Sequence, residues 1–532
     1  MALAVAVVGA GDSAVQPNFL HILMDDWGIG DVNAYGNRDT TKVTTPNIDR
    51  LAADGILFTQ GYSASPVCSP SRTAWMTARF PAEAAVHSAL GGGCAGCAQY
   101  LDPVKFVPVT KLLLDAGYTT AHFGKWHLGQ SNANGSSPAP LPIAYGLEHS
   151  ATFNSDADQG NAAWPPILPG CTSPRNAPSP QCNDTHWAAH TADAIVARSL
   201  AFVDNATAHH TPWYLNAWFH VSHAMLVPTA KQLKAYSYDA SCRLGALASN
   251  QTTCAHQIFW SAQHAADASV GELLDGLRAR GLWTHTVIAL STDNGPEEMM
   301  VYTNGVGSTG PFRGRKRSLY DGGVRLPFIM AYPGTGRKGV VEHTVVGAVD
   351  WLPTVLALAQ VKVSPELAMT LRGYDLSGLL LQNGTNSSAA GFHRPASKPL
   401  LWEWRYGVSG PCWNEAPQLA ARAGQYKLYL NPPTAPGGSP SRVELYDVGT
   451  GEGSPNMLFE TQNLADALPA VVQNLSAAVL AWHATLPPGP VTPHPGCPGR
   501  GGPWWQRGPG PVATPRPAVD EADIEDDPAV HL

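Results

Sequence analysis

The apolar positions of this chain fall into short runs separated by longer amphipathic stretches, the pattern of strands alternating with helices. Asn18 to Met24 (NFLHILM) is a seven-residue apolar run bounded by polar residues, which predicts a buried strand. Thr119 to Phe123, Trp213 to Phe219, Thr286 to Leu290 and Pro327 to Ala331 read the same way. Between them lie helical patterns. Pro46 to Asp54 opens on a proline at its first turn, with Thr45 at the N-cap position. Ile258 to Arg280 carries Ala262, Ala265, Ala266, Val270, Leu273, Leu274 and Leu277 on one face, and the next strand follows within a few residues. Asp350 to Leu358 is a further short helix. Strand and helix in alternation predict an α/β fold: a large, mostly parallel sheet sandwiched by helices.

Beyond a polar stretch at 382–398 the pattern changes. Tyr426 to Leu430 and Val443 to Tyr446 read as strands, and Pro469 to Thr485 as a helix with Val472, Leu475, Ala478, Val479 and Trp482 at helical spacing. This predicts a small C-terminal α+β domain. The expected organisation is residues 1–16 as a leader remnant, 17–385 as the main domain, 396–487 as the small domain, and 488–532 as a Pro/Gly-rich and then acidic tail without a fold of its own. Residues 159–185 hold six prolines and read as a long surface loop.

Composition narrows the class. Only 14% of the 532 residues are charged, against about 25% in an ordinary domain. The formal charge is −8, and six of the acids lie between Asp520 and Asp527, so the body is nearly neutral. That excludes a nucleic-acid footprint. No apolar run approaches the ~18–20 residues of a membrane span.

The opening MALAVAVVGA, followed by small residues, is similar to the end of a secretory signal, but no Lys or Arg precedes it. A buried strand or a truncated start reads equally well. Seven Asn-x-Ser/Thr sequons (Asn134, Asn183, Asn205, Asn250, Asn383, Asn386 and Asn474) and nine cysteines favour the secretory pathway. With Cys68 set aside the cysteine number is even, and Cys171/Cys182 and Cys242/Cys254 are close in sequence. Cys94-Ala-Gly-Cys97 lacks the second pair that zinc would need.

Three segments carry candidate chemistry. Asp25 and Asp26 follow the first strand, and Asp293-Asn294-Gly295 follows the strand from Thr286. Ligand groups gather at the carboxyl ends of parallel strands. Either pair alone reads as a solvated turn. Together they make an all-oxygen set suited to a hard cation such as Ca²⁺, with Mg²⁺ second. The third segment is Cys68-Ser69-Pro70-Ser71-Arg72, with Pro70 near a helix start, which puts Cys68 where the helix dipole favours an anion. Taken by itself, that cysteine reads as a low-pKa thiol or a half-cystine.

The C-x-P-S-R run resembles the signature of the type I sulfatases, within the alkaline-phosphatase-like superfamily. The likeness continues in order along residues 17–485: NFLHILMDDWGIGD, TPNIDRLAADGILF, GYTTAHFGKWHLG, the strand leading to His223, STDNG, GPFRGRKRSLYDGGVRLP and ELYD. It is strongest toward arylsulfatase A and galactosamine-6-sulfatase. The resemblance implies that a formylglycine-generating enzyme oxidises Cys68 to an aldehyde. One hydroxyl of the aldehyde hydrate would attack sulfur to give an enzyme–sulfate ester, and the other would expel sulfate. Asp25, Asp26, Asp293 and Asn294, with residue 68, would hold one Ca²⁺. Arg72, Lys125 and Lys316 would surround the sulfate, His127 would serve the formylglycine hydroxyls, and His223 with Lys316 would donate to the leaving oxygen. His220, three residues before His223, is the other histidine that could fill that place.

The implied substrate is a sulfated carbohydrate or an aryl sulfate, and the implied location is secreted or lysosome-like. Two other functions fit parts of the sequence: a phosphonate or phosphodiester hydrolase of the same superfamily, and a binding protein with unmodified Cys68. The chain departs from the family at Ala78, Arg315 and Arg317, where glycines are usual, and at Met225, where a proline is common. The two arginines would either add charge at the pocket rim or face solvent.

Overall fold

The computed structural model describes residues 16–36, 44–90, 97–129, 139–154, 187–223, 226, 230–234, 236, 251–297, 306–381, 394–395, 398–405, 416–432, 438–449 and 459–489. The leader, the proline-rich loop, most of the linker and the tail lie outside them. So do Met225, five of the seven sequons, and Cys94, Cys171, Cys182, Cys242, Cys412 and Cys497. Asn205 and Asn474 are exposed on helices.

An eight-stranded sheet forms the centre, in the order β5-β4-β6-β1-β7-β8-β2-β9. Its strands are β1 (Asn18–Met24), β2 (Ile56–Phe58), β4 (Thr119–Lys125), β5 (His149–Phe153), β6 (Trp213–Trp218), β7 (Thr286–Thr292), β8 (Phe328–Ala331) and β9 (Val340–Glu342). The run β5-β4-β6-β1-β7 is parallel throughout, and β8 pairs antiparallel with both β7 and β2. A small parallel pair, β3 (Gly61–Tyr62) and β10 (Val346–Gly347), stands beside it.

Side-chain alternation splits the strands between two helical layers. One face presents Leu20, Ile22 and Met24 of β1, Leu215 and Ala217 of β6, and Ile288 and Leu290 of β7. Against it pack α1 (Pro46–Ala53), α4 (Trp187–Ala208) and α6 (Gln251–Ala279). Val270, Leu273, Leu274 and Leu277 of α6 are wholly buried there, each stabilising the fold by roughly 1.5–3 kcal/mol. The opposite face carries α2 (Cys68–Thr77) and the helix Trp351–Leu358, through contacts such as His21 with Trp75 and Phe19 with Trp351. Two further helices of this part are α3 (Val109–Asp115) and α5 (Ala230–Lys234).

Thr45 occupies the N-cap position of α1, but its hydroxyl does not cap the helix backbone. It accepts from Asn33 N and donates to Asp49, tying α1 to the turn after β1.

The C-terminal region is an antiparallel sheet, β11 (Leu400–Glu403), β12 (Leu419–Ala423), β13 (Tyr426–Asn431) and β14 (Ser441–Asp447), with the helix Pro469–His483 against β12 and β13. Among the described residues no helix is long and apolar enough to cross a membrane.

Candidate active site

The strand order brings the candidate residues together. β4, β6, β1 and β7 are consecutive neighbours, all parallel, so their carboxyl ends lie side by side. Asp25 and Asp26 leave β1, Lys125 ends β4, His220 and His223 follow β6, and Asp293 and Asn294 follow β7. Register pairs Met24 with Thr292, which sets the two acidic segments abreast. Asp26 sits at φ 61° and His127 at φ 57°, left-handed conformations that turn the chain sharply at both strand ends. Gly124 is required in β4: at φ 113°, a Cβ there would lie 1.9 Å from the carbonyl oxygen of Trp218.

Cys68 is the first residue of α2 and is buried and free, so the half-cystine reading is wrong. Its Sγ lies 3.8 Å from Asp25 Oδ1 and 3.5 Å from Lys125 Nζ. Burial pushes the thiol up to about 12, outweighing the pull of Lys125 and Lys316. The low-pKa reading is therefore also overturned: desolvation of a thiolate costs more here than the helix end and two lysines return.

The four oxygen-bearing residues converge. Oxygens of Asp25 and Asp293 lie with Cys68 Sγ within 4.8 Å of one another. Asn294 Nδ2 donates to Asp26 Oδ1 at 2.7 Å, while Asn294 Oδ1 is buried with no hydrogen-bond partner. A buried amide oxygen in that state, beside three carboxylates, fits a hard cation. The cations close round the same groups. Lys125 Nζ is 2.6 Å from Asp25, Arg72 Nη2 is 2.7 Å from Asp293, and Lys316 Nζ is 2.7 Å from both oxygens of Asp26. Burial raises Asp25, but Lys125, His223, His220 and Arg72 together hold it well below the usual carboxylate range.

Burial lowers His127 to about 3, with Lys125 and Arg72 adding to it, which keeps that ring neutral; burial, Lys125 and Lys316 lower His223 to about 4. His127 Nε2 lies 3.0 Å from the carbonyl oxygen of Leu90, which makes it the donor and leaves Nδ1 an acceptor. His220 was expected only as the rival of His223. Its Nδ1 is 3.0 Å from Asp25 Oδ2, and its ring stacks on His223 with centroids 4.9 Å apart. Both histidines belong to the site, and their position just beyond a predicted strand was the signal.

Glu297 was not expected at all. It lies 3.4 Å from Lys316 and pairs with Arg317. Both arginines are held by protein partners, and the charge of Arg317 reaches Lys316. Arg317 is taken up by that pair, and Arg315 Nη2 donates to the carbonyl oxygens of Glu297 and Gly307 at 3.1 and 2.5 Å. Ala78 ends α2 at φ 52° and ψ 30°, the left-handed position that explains why glycine is usual there. Cys97 is disulfide-bonded, which removes it as a zinc ligand.

The Sulfatase family model matches residues 17–361. Human arylsulfatase A is 31% identical over 396 residues, covering 72% of this chain and 71% of that protein. N-acetylgalactosamine-6-sulfatase of Sus scrofa is 28% identical over 456 residues, covering 81% of this chain and 74% of that protein. The solved structure of Ps i-CgsB in complex with k-i-k-neocarrahexaose superposes with a TM-score of 0.65 at 21% identity, over 88% of this chain and 93% of that one. The last of these shows the shared fold.

Proposed function

The chain belongs to the sulfatase family, and from that premise we propose that it cleaves sulfate monoesters of carbohydrates or aryl alcohols, with residue 68 as the nucleophilic centre. Hydrolysis of sulfate esters follows from the family. The alcohol, the calcium ion and the oxidation of Cys68 are our reading. A single observation carries it: Cys68 heads α2 among three carboxylates and three cations, with its thiol held protonated. A buried, protonated thiol is a poor nucleophile. Oxidised to formylglycine by its maturation enzyme and then hydrated, the position supplies two geminal hydroxyls: one attacks sulfur as the ester's alcohol leaves, and loss of the other's proton expels sulfate and restores the aldehyde.

Asp25, Asp26, Asp293 and Asn294 would hold Ca²⁺, which polarises a sulfate oxygen. The chain's own groups do the rest. Asp25, Asp26 and Asp293 balance Arg72, Lys125 and Lys316 among themselves, so a divalent cation leaves the pocket positive for an anionic ester. Lys125 and Arg72 bear on the sulfate oxygens and the nucleophile. Neutral His127 positions the formylglycine hydroxyls by accepting a hydrogen bond at Nδ1. His223 and Lys316 donate to the leaving oxygen.

The name of the Sus scrofa relative supports a sulfated amino sugar as the carbohydrate. The bonded Cys97 supports maturation in the oxidising secretory pathway, with the chain secreted or lysosome-like.

The test is mass spectrometry across Cys68 in protein made with the maturation enzyme, beside rates on nitrophenyl sulfate and a nitrophenyl phosphodiester. An aldehyde at 68 and preference for the sulfate are expected. An alkylatable thiol in active protein, or faster phosphodiester cleavage, would overturn the proposal.

A further inference from the structure

On the sheet face that carries α2, three polar side chains stand where apolar ones are expected. His21 of β1, Asn216 of β6 and His122 of β4 share one register line across adjacent strands, and all three are wholly buried. Leaving such groups unpaired in a core is costly. Their surroundings are tryptophans: Trp75 packs on His21 with centroids 4.3 Å apart, and Trp126 and Trp218 flank His122 at 5.0 and 4.7 Å.

The two ends of the line are tied. Trp218 Nε1 donates to His21 Nδ1 at 3.2 Å. His122 Nε2 lies 3.2 Å from the carbonyl oxygen of Lys125, the same oxygen that accepts from Arg72 Nη1 at 2.8 Å. Burial lowers both imidazoles to about 3, with the Arg72 charge adding to it, so both are neutral. A neutral ring has one donor and one acceptor. His21 therefore carries its proton on Nε2. His122 also carries its proton on Nε2, and its Nδ1 accepts. Asn216, between them, has an acceptor in Oδ1 and two N–H donors on Nδ2, one of which goes to Met76 Sδ at 3.5 Å, so the second leaves the hydrogen-bond directions consistent along the line. Asn216 lies near enough to His21 to raise its proton affinity somewhat. Three atoms on this line, His21 Nε2, Asn216 Oδ1 and His122 Nδ1, have no partner in direct hydrogen-bonding geometry.

We propose that these three buried atoms bind water, and that the completed line from Trp218 through His21, Asn216 and His122 fixes the Lys125 carbonyl and, through it, the Arg72 guanidinium. His122 is then a positioning residue. Arg72 also donates to Asp293 Oδ2 through Nε and Nη2, at 3.1 and 2.7 Å. The Lys125 carbonyl is the third point that sets its plane, and a second donor on that oxygen holds it in place. The inference rests on the reading that Arg72 serves the ester.

The test compares His122→Leu with His122→Gln, whose amide nitrogen reaches the place of Nε2, in full-length matured enzyme on an aryl sulfate. His122→Leu is expected to lower kcat about tenfold or more with KM within about threefold, as losses of supporting hydrogen bonds do. His122→Gln should recover most of kcat, and His122→Leu should have no further effect in an Arg72→Lys background. Equal kcat in wild type, His122→Leu and His122→Gln would overturn the proposal, as would equal losses in the two variants. The wild-type protein supplies a second measurement. ¹⁵N spectra of labelled histidine, assigned by the loss of one signal in each of a His21 and a His122 variant, should show that these two imidazoles do not titrate between about pH 5 and 8 and carry their protons on Nε2. An Nδ1 proton or a midpoint near 6.5 on His122 would overturn it. A wild-type enzyme inactive on every sulfate ester would sink the functional reading and leave the imidazole result standing.

Discussion

Two parts of this molecule bury comparable sets of charges. At the carboxyl ends of the parallel strands, Asp25, Asp26 and Asp293 meet Arg72, Lys125 and Lys316. Where the main sheet region meets the C-terminal sheet, Asp321 and Glu444, with Glu460 kept protonated by burial, meet Arg313, Arg325 and Lys427. The carboxyl groups of the second set are all engaged by protein groups. Asp321 accepts from Lys427 at 2.7 Å and from Arg325 at 3.3 Å, and its own N–H donates to Glu460. Tyr429 donates to Glu460, Tyr320 to Glu444 at 2.9 Å, and Lys427 also to the Leu319 carbonyl at 3.0 Å. Both oxygens of Asp321 and both of Glu460 are in hydrogen-bonding contact with protein groups. The first set keeps acceptors in reserve, Asn294 Oδ1 and His127 Nδ1 among them. A buried charge cluster that closes on itself joins parts of a fold, whereas one that leaves acceptors open is prepared for something else.

That contrast can be broken in order of size. Cys68→Ser should cost at least about a thousandfold in kcat on nitrophenyl sulfate with little change in melting temperature, because serine lacks the second hydroxyl. Ordinary turnover by this variant would remove residue 68 from the mechanism. Chelation should come next, with activity down about a hundredfold or more and a melting temperature that depends on added Ca²⁺ concentration.

In the closed cluster the balance reverses. Lys427→Met should destabilise by about 3–5 kcal/mol, since it strips Asp321 of its nearest cation. Lys125→Met, assayed with saturating Ca²⁺, should cost turnover instead. Denaturant titrations beside kinetics separate the two, and loss of both properties in both variants would erase the distinction.

Glu460 gives the pH test. Burial first, and then Asp321, raise it from 4.5 to about 8, so the folded chain keeps it protonated where the unfolded chain does not. Its contribution is whole below pH 4.5 and is lost as pH rises toward about 8. Glu460→Gln, which mimics the protonated acid, should flatten that decline in melting temperature. An unchanged slope would mean that Glu460 is ionised in the fold. Ala78→Gly should have the smallest effect, a gain of about 1 kcal/mol from relief of the left-handed alanine, read from the same denaturant midpoints.

Much of the fold was legible along the chain. The strand Asn18–Met24 was read to the residue, and the strands at 119, 213, 286 and 327 began within one residue of their observed starts. These strands are buried on both faces, so an uninterrupted apolar run identifies them. The short β2, β3 and β9 were missed because two or three residues carry no period. β12 was missed because Leu-Ala-Ala-Arg-Ala carries no strong apolar stripe, and Arg422 is buried by bonds to Gln60 and Gly449 that no local pattern shows.

For the site, local sequence determined the inventory: a cysteine ahead of a helix-starting proline, acids after apolar runs, and a lysine and histidine beside a strand end. Motif order supplied the rest of that expectation. Only the tertiary structure decided the contacts. The strand order β4-β6-β1-β7 makes neighbours of residues up to about 270 positions apart, and that order is set by which helices cover which face, not by any one segment. The ionisation states were decided there too. Whether Cys68 is a thiolate depends on how much water surrounds it, and burial is a property of the packed whole.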